Sequence, residues 1–436
     1  MNYKEAVDYL FTQTPLFQNV GEKAYKEGLD NTLALDRRTG SPHRMYKTVH
    51  IAGTNGKGSV SHTLAAILQA AGYKVGLYTS PHLLDFRERI RVNGRPVSPE
   101  FVIKFIEDNK DFLKPLHPSF FEVATAMAFS WFEKQEVDVA VIETGLGGRL
   151  DCTNIIRPVL SVITNIGYDH MKFLGNTLPE IASEKAGIIK KGVPVIIGEH
   201  CDETRPVFQD KAGEAGAKII FAQDNCKIIS QQYLAPDQVI YQTAGLPDLK
   251  SQLGGYCQEK NANTILTAVC ELRKHFNISD DNIRSGFMDV CRTTGLRGRW
   301  QRVAARPEII CDTGHNSHGI KYIAQQLDEI SKKPGFGRLR IVIGMVSDKD
   351  VTTVLELLPK TARYYFTRAS VDRAMDPNRL QELALKAGLY GNAYRGVPQA
   401  VASARSEASA NDLIFVGGST FIVADLLRMP EFFIQG

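Results

Sequence analysis

Apolar residues in this chain fall into short runs separated by segments of helical period. Residues 48–52 form one such run, and a glycine-rich stretch follows at once. Val60, Leu64, Ile67, Leu68 and Ala71 then recur at helix-face spacing, and Gly72 stands where a helix C-terminus favours glycine. Residues 74–78 read as a second strand. Strand, loop, helix and strand in that order make the βαβ unit of a parallel sheet.

The alternation continues. Apolar runs at 137–142, 159–163 and 193–197 end at or near polar residues, and 121–134 has helical period. Runs that are apolar on both faces suit strands covered on both sides by helices. Residues 218–221, 227–229 and 238–241 are β-rich pieces with no helical pattern between them. They predict a small antiparallel patch appended to the first sheet, followed by a helix over 263–275. A second series starts near Arg302, with strands expected at 308–311, 339–343, 363–366 and 413–416. Helices are expected at 320–330, 351–358 and 378–387. The break at 295–298 divides the chain into domains 1–296 and 297–436. The expected fold class is α/β: a P-loop parallel-sheet ATPase domain with a small antiparallel β patch, then a Rossmann-like α/β domain.

Composition narrows the function classes. A length of 436 residues fits two or three domains. A net charge of +4 over that length is too weak for a nucleic-acid binder, which needs a clustered basic stripe. No uninterrupted apolar run approaches a membrane span, and the opening residues lack a basic start followed by an apolar run. The seven cysteines include no C-x-x-C pair, which suits reduced thiols better than a disulfide framework or a zinc site. A cytoplasmic protein is expected, acting as a monomer on small molecules, without nucleic acid or membrane.

The glycine-rich stretch carries the clearest chemistry. Binding a phosphate takes inward-pointing backbone N–H groups, a helix N-terminus and a cation. In Gly53-Thr54-Asn55-Gly56-Lys57-Gly58-Ser59 the glycines let the backbone approach an anion. Lys57 can reach outer phosphates, and Ser59 can offer a hydroxyl to Mg²⁺ or phosphate. The spacing departs from the common G-x-x-x-x-G-K-[ST] loop. The strand before it and the helix after it still point to ATP.

Further candidates lie at strand ends, where open parallel sheets bind ligands. Glu143 follows an apolar strand and suits Mg²⁺, a hard ion with oxygen ligands, or else caps a helix or sits in an ion pair. Ser80, in Tyr78-Thr79-Ser80-Pro81-His82, belongs either to an active-site loop or to an exposed one. His170 lies a few residues past another strand, as a ligand or as a structural histidine. Lys185 shares a helix face with Ile181 and Ala182. Either its ammonium snorkels to the surface, or burial lowers its pKa and the neutral amine can add CO₂ to form a carbamate. In the second half Asp312 can meet ribose hydroxyls, and Arg299 and His315 can meet phosphates.

Taken together these motifs resemble folylpolyglutamate synthase and the bifunctional dihydrofolate synthase/folylpolyglutamate synthase, members of the Mur ligase superfamily. The resemblance rests on HIAGTNGKGS at 50–59, TSPHL at 79–83, ERIRVNG at 88–94, ETGLGGRLD at 143–151 and SEKAGIIK at 183–190. It implies that Asn55, Gly56, Lys57, Gly58 and Ser59 hold ATP phosphates. Asn261 would contact adenine, and Arg299, Asp312 and His315 would contact the nucleotide from the second domain. Ser80, Glu143 and His170 would bind Mg²⁺. Lys185 matches the lysine that the family carbamylates, and Lys57, His170 and Lys185 are the implied catalytic residues. Ser119, Phe121, Glu122, Leu150 and Asp151 would line a pterin site. Some positions depart from the family pattern: Thr313, Gly314 and Ser317 in the D-G-A-H-N-P segment, Cys257 before Gln258, Ser119 for threonine and Cys152 for alanine.

The implied reaction is amide formation from ATP, L-glutamate and dihydropteroate or a reduced folate. Phosphorylation converts the carboxylate into an acyl phosphate, the amine attacks, and phosphate leaves. Closure of the two domains would keep water from that intermediate. A narrower alternative is an enzyme that only extends polyglutamate. A cell-wall UDP-sugar ligase would carry a larger N-terminal domain, and a P-loop kinase would leave the Lys185 motif unexplained.

Overall fold

A computed structural model describes residues 1–14, 28–347 and 351–432. The chain separates into two compact units. The first comprises 1–231, 240–252 and 259–296; the second comprises 232–239, 253–258 and 297–436. The stretches 232–239 and 253–258 thus fall outside the simple division at 296/297 expected from sequence.

The first unit is built on a sheet of eight strands: β1 (Lys47–Ala52), β2 (Val75–Tyr78), β3 (Ile90–Val92), β4 (Arg95–Pro96), β5 (Val139–Glu143), β6 (Leu160–Ile163), β7 (Val195–Ile197) and β8 (Ile219–Phe221). Their order is β4-β3-β2-β5-β1-β6-β7-β8. β1 lies between β5 and β6, parallel to both, with Ile51 opposite Glu143 and Ala52 opposite Ile163. Parallel strands flanked on both faces need apolar side chains on both, and β5, β6 and β7 are buried throughout. Phe120, Met127, Phe129 and Phe132 of the helix Phe120–Lys134 pack with Tyr78, Ala140 and Ile142. Farther along the same face, Ala182, Ala186, Ile188 and Phe208 pack against Ile163, Val195 and Ile197.

Two expectations change here. Residues 218–221 do not join an antiparallel patch: β8 pairs parallel with β7, after the helix Arg205–Glu214. Only a few apolar residues mark that helix, so its period is faint. The patch proper is a separate three-stranded sheet of β9 (Ile228–Ala235), β10 (Gln238–Thr243) and β11 (Leu249–Ser251), ordered β11-β10-β9. The segment that follows Ser80, expected as a loop, is not simply a loop either. β3 pairs antiparallel with β2 and with β4 through a turn at Asn93-Gly94, both at positive φ. Asn-Gly is the strongest short hairpin signal, and it was legible in the sequence.

The second unit carries β12 (Gln301–Ala305), β13 (Glu308–Cys311), β14 (Leu339–Ile343), β15 (Arg363–Phe366), β16 (Gly391–Ala393) and β17 (Leu413–Gly417). Their order is β12-β13-β17-β14-β15-β16, parallel except for β12. The helices Ser317–Ser331, Val351–Leu357 and Pro377–Lys386 form where helical period is strongest. No described helix is long and apolar enough to cross a membrane.

Candidate active site

β1 delivers the chain into the glycine loop, and the helix Lys57–Ala70 leaves it. Gly56 caps that helix at φ 82°, and a Cβ there would collide with the Asn261 carboxamide. A Cβ on Gly53 would strike the Thr164 hydroxyl. The segment after β6 braces the loop. Thr54 N–H donates to the Asn165 carbonyl at 3.0 Å, and Asn55 N–H to Asn165 Oδ1 at 2.9 Å. Thr164 Oγ1 donates to the Asn55 carbonyl at 2.5 Å. Asn165 Nδ2 donates to Glu199, which pairs with Lys260 beside Asn261. The phosphate loop and Asn261 are therefore held by one polar framework. Sequence reading missed Thr164, Asn165 and Glu199, although the pair Thr164-Asn165 at a strand end was a visible signal.

Gly56→Ala places a side chain at positive φ against Asn261, a strain of about 1–3 kcal/mol. Loss of ADP affinity of roughly tenfold or more is expected by calorimetric titration. Unchanged affinity would show that the close approach does not matter.

Two lysines meet at this loop. Lys57 Nζ donates to the carbonyls of Gly53 at 3.0 Å and Thr54 at 3.2 Å. Lys185 Nζ donates to the same Gly53 carbonyl at 3.0 Å. Lys185 sits in the helix Leu178–Ala186, which a Thr177–Glu180 capping box and Pro179 start. Its side chain is 4% exposed. Burial, reinforced by the neighbouring Lys57 charge, pulls its pKa down to about 7. The snorkelling alternative is thereby replaced by a buried amine that is substantially neutral near pH 7.

Glu143 ends β5 and is buried. Its Oε2 accepts the Ser80 N–H at 3.1 Å, which brings two of the expected metal residues together. His170 follows β6 in the left-handed conformation, its N–H bonded to Asp169 Oδ1 at 2.9 Å. Asp169 also opposes the lowering of the Lys185 pKa, so this carboxylate faces both groups. Among the described residues no three His, Cys, Asp or Glu side chains gather into a metal cage. A carboxylate and a hydroxyl at a strand end instead suit an ion completed by water and phosphate oxygens, as Mg²⁺ and Mn²⁺ are.

The expected pterin residues divide by role. Ser119 and Glu122 form a capping box: Ser119 N–H donates to Glu122 Oε2 at 2.6 Å, and Glu122 N–H to Ser119 Oγ at 3.3 Å. The Phe121 ring packs on Tyr78 at 5.7 Å and covers Gly145, where a Cβ would run into it. Leu150 is half-buried. Asp151 is buried and accepts four hydrogen bonds, two from the Gly145 and Leu146 N–H groups and two from Thr153. Burial pushes the Cys152 thiol well above its usual pKa, so it stays protonated.

In the second unit the turn after β13 gathers the three expected residues. Asp312 accepts Trp300 N–H and Gly314 N–H, each at 2.7 Å. Arg299 bonds the Thr313 hydroxyl and the Gly298 carbonyl. His315 Nδ1 donates to the Thr313 carbonyl at 3.0 Å. Asn316 caps the helix Ser317–Ser331 through Gly319 N–H. Threonine and glycine in place of the usual residues at 313 and 314 thus leave the turn intact.

Residues 51–246 match the Mur ligase middle domain, and 298–420 match the Mur ligase glutamate ligase domain. The dihydrofolate synthase/folylpolyglutamate synthase of Bacillus subtilis is 33% identical over 92% of this chain and 95% of its own. The chain belongs to the dihydrofolate synthase/folylpolyglutamate synthase family of Mur ligases. The Escherichia coli family member is 30% identical over 98% of this chain and 97% of its own. Escherichia coli FolC in complex with DHPP and ADP superposes with TM-score 0.83, covering 98% of this chain and 97% of that one at 30% identity. A bifunctional synthase with Mn, AMPPNP and L-glutamate bound gives 0.79 at 29% identity, covering 98% and 97%. Membership makes this chain an ATP-dependent ligase of folate metabolism.

Proposed function

We propose that this chain joins L-glutamate to dihydropteroate and to reduced folates in one active site, using ATP and Mg²⁺. The observation that carries the reading is the convergence of Lys57 and Lys185 on the Gly53 carbonyl at the ATP loop. A kinase has no use for a second, buried amine there. Asn55, Gly56, Lys57, Gly58 and Ser59 hold the phosphates, and Asn261, tight against Gly56, meets adenine. Arg299, Asp312 and His315 contact the nucleotide. The division of labour follows residues 1–296 for ATP and 297–436 for glutamate ligation. The protein acts as a cytoplasmic monomer; its seven cysteines are free thiols, which accords with a reducing compartment.

A carboxylate oxygen of the acid substrate attacks the γ-phosphorus and ADP leaves. The glutamate nitrogen then attacks the acyl phosphate, loses a proton, and expels phosphate. Lys57 neutralises charge on the transferring group, and positioning supplies the rest. Ser80, Glu143 and His170 would hold Mg²⁺, which when bound offsets phosphate charge. Lys185, in its neutral form, adds CO₂ and releases a proton, which turns a buried amine into an anionic oxygen ligand. Phe121, Leu150 and Asp151, with the Ser119–Glu122 cap, shape the pterin wall.

A coupled ATPase assay tests the reading. ADP release is expected only with glutamate and either dihydropteroate or tetrahydrofolate present. Turnover of tetrahydrofolate without dihydropteroate would reduce the protein to a polyglutamate extender.

A further inference from the structure

His50 is a buried titratable group that the reaction leaves unused. It sits in β1, three residues before Gly53, with no side-chain exposure. Its Nε2 lies 2.8 Å from Thr153 Oγ1. Thr153 Oγ1 in turn lies 2.5 Å from Asp151 Oδ1. The directions of these bonds follow from donor counting. Asp151 already accepts three backbone N–H groups, so its carboxylate takes the one hydroxyl proton of Thr153. The Thr153 oxygen can then only accept, and His50 Nε2 is the donor. His50 Nδ1 is left as a bare lone pair, in line with its having no hydrogen-bond partner. Burial drives the imidazole pKa down to about 3, so the ring stays neutral.

The chain of bonds ends on the N–H groups of Gly145 and Leu146, two and three residues past Glu143. Gly145 is also the residue that Phe121 covers. One buried line thus runs from the strand that feeds the ATP loop to the backbone segment under Phe121, a residue of the proposed pterin wall.

We propose that His50 and Thr153 are positioning residues for the acid substrate, acting through Asp151 on the 144–148 loop. This inference takes its kinetic assay from the ligase reading above. The relay's purpose is to fix the loop, not to move a proton, because the His50 ring stays neutral and its Nδ1 has no hydrogen-bond partner to pass a proton to.

Four variants test it: Thr153→Val, Thr153→Ser, His50→Leu and the double variant Thr153→Val/His50→Leu. Thr153→Val and His50→Leu are expected to raise KM for dihydropteroate roughly tenfold, as loss of supporting hydrogen bonds does at other sites, with KM for ATP within about twofold. Thr153→Ser keeps the hydroxyl and should restore KM. The double variant should be no worse than the worse single one, because both break the same chain. Amide hydrogen exchange over 144–148 should quicken in Thr153→Val and not in Thr153→Ser. This second readout needs no turnover, so a wild type that failed to ligate would sink the ligase reading while the relay was still judged. Unchanged exchange over 144–148 in Thr153→Val would overturn the relay. So would an unchanged dihydropteroate KM in folded Thr153→Val, or multiplying effects in the double variant. If His50→Leu does not fold, the two Thr153 variants decide.

Discussion

Lys185→Ala should abolish ligation, and small carboxylates such as formate or acetate should restore part of it. The reason lies in where the amine sits. Lys185 is buried against the Gly53 carbonyl, next to the Lys57 charge, and its pKa falls to about 7. Only a neutral amine adds CO₂, so the carbamate should form readily above pH 7 and fade below it. Activity in CO₂-depleted buffer should fall and recover on adding bicarbonate. Full activity of Lys185→Ala would sink the carbamate role.

The same shift has a stability consequence with a definite sign. The folded-state pKa lies below the ordinary lysine value of 10.5, so between about 7 and 10.5 the unfolded chain binds the extra proton. Stability therefore rises with pH through that window, and below about pH 7 the whole cost is present. At pH 7 that cost is about 4 kcal/mol for an uncarbamylated chain. Lys185→Met removes it while keeping the volume. In CO₂-free buffer this variant should melt higher than wild type at pH 6.5, with the gap closing by pH 10, although it is inactive. A lower melting temperature at pH 6.5 would mean that the amine is not paying for its burial.

How much of this was legible beforehand depends on the range of the interactions involved. The βαβ start, the strand-end positions of Glu143 and His170, and the Asp312 turn follow from local period and from strand–loop order. Lys185 was ambiguous locally because a helix face shows which residues share burial but not what they are buried against. Its partner, the Gly53 carbonyl, is 132 residues away in the chain. The His50–Thr153–Asp151 line spans a similar gap, and nothing in the strand 47–52 marks His50 as other than a core residue. Ile219–Phe221 was misplaced because a three-residue apolar strand has too little length to declare its neighbours. Turn chemistry, in contrast, is local, and Asn93-Gly94 carried a hairpin signal that reading the stretch as a loop passed over.

Glu143→Gln should lower kcat/KM more than about a hundredfold, a larger loss than removing a supporting hydrogen bond causes. The substitution isolates charge. Glutamine fills the same volume at the end of β5, and its carbonyl oxygen can still accept the Ser80 N–H that Glu143 Oε2 now takes. The fold should therefore survive, with a melting temperature close to wild type. What is lost is the anionic oxygen of a buried group that, together with the Ser80 hydroxyl, is placed to share an ion with substrate phosphates. The apparent metal affinity should drop, so that raising Mg²⁺ into the tens of millimolar range recovers part of the rate; hard divalent ions bind through few protein carboxylates and lean on phosphate for the rest. Chelation of the wild type should stop turnover reversibly, without unfolding, because no all-protein metal cage among the described residues holds the structure together. A Glu143→Gln enzyme whose rate and Mg²⁺ dependence both match wild type would remove Glu143 from the metal site.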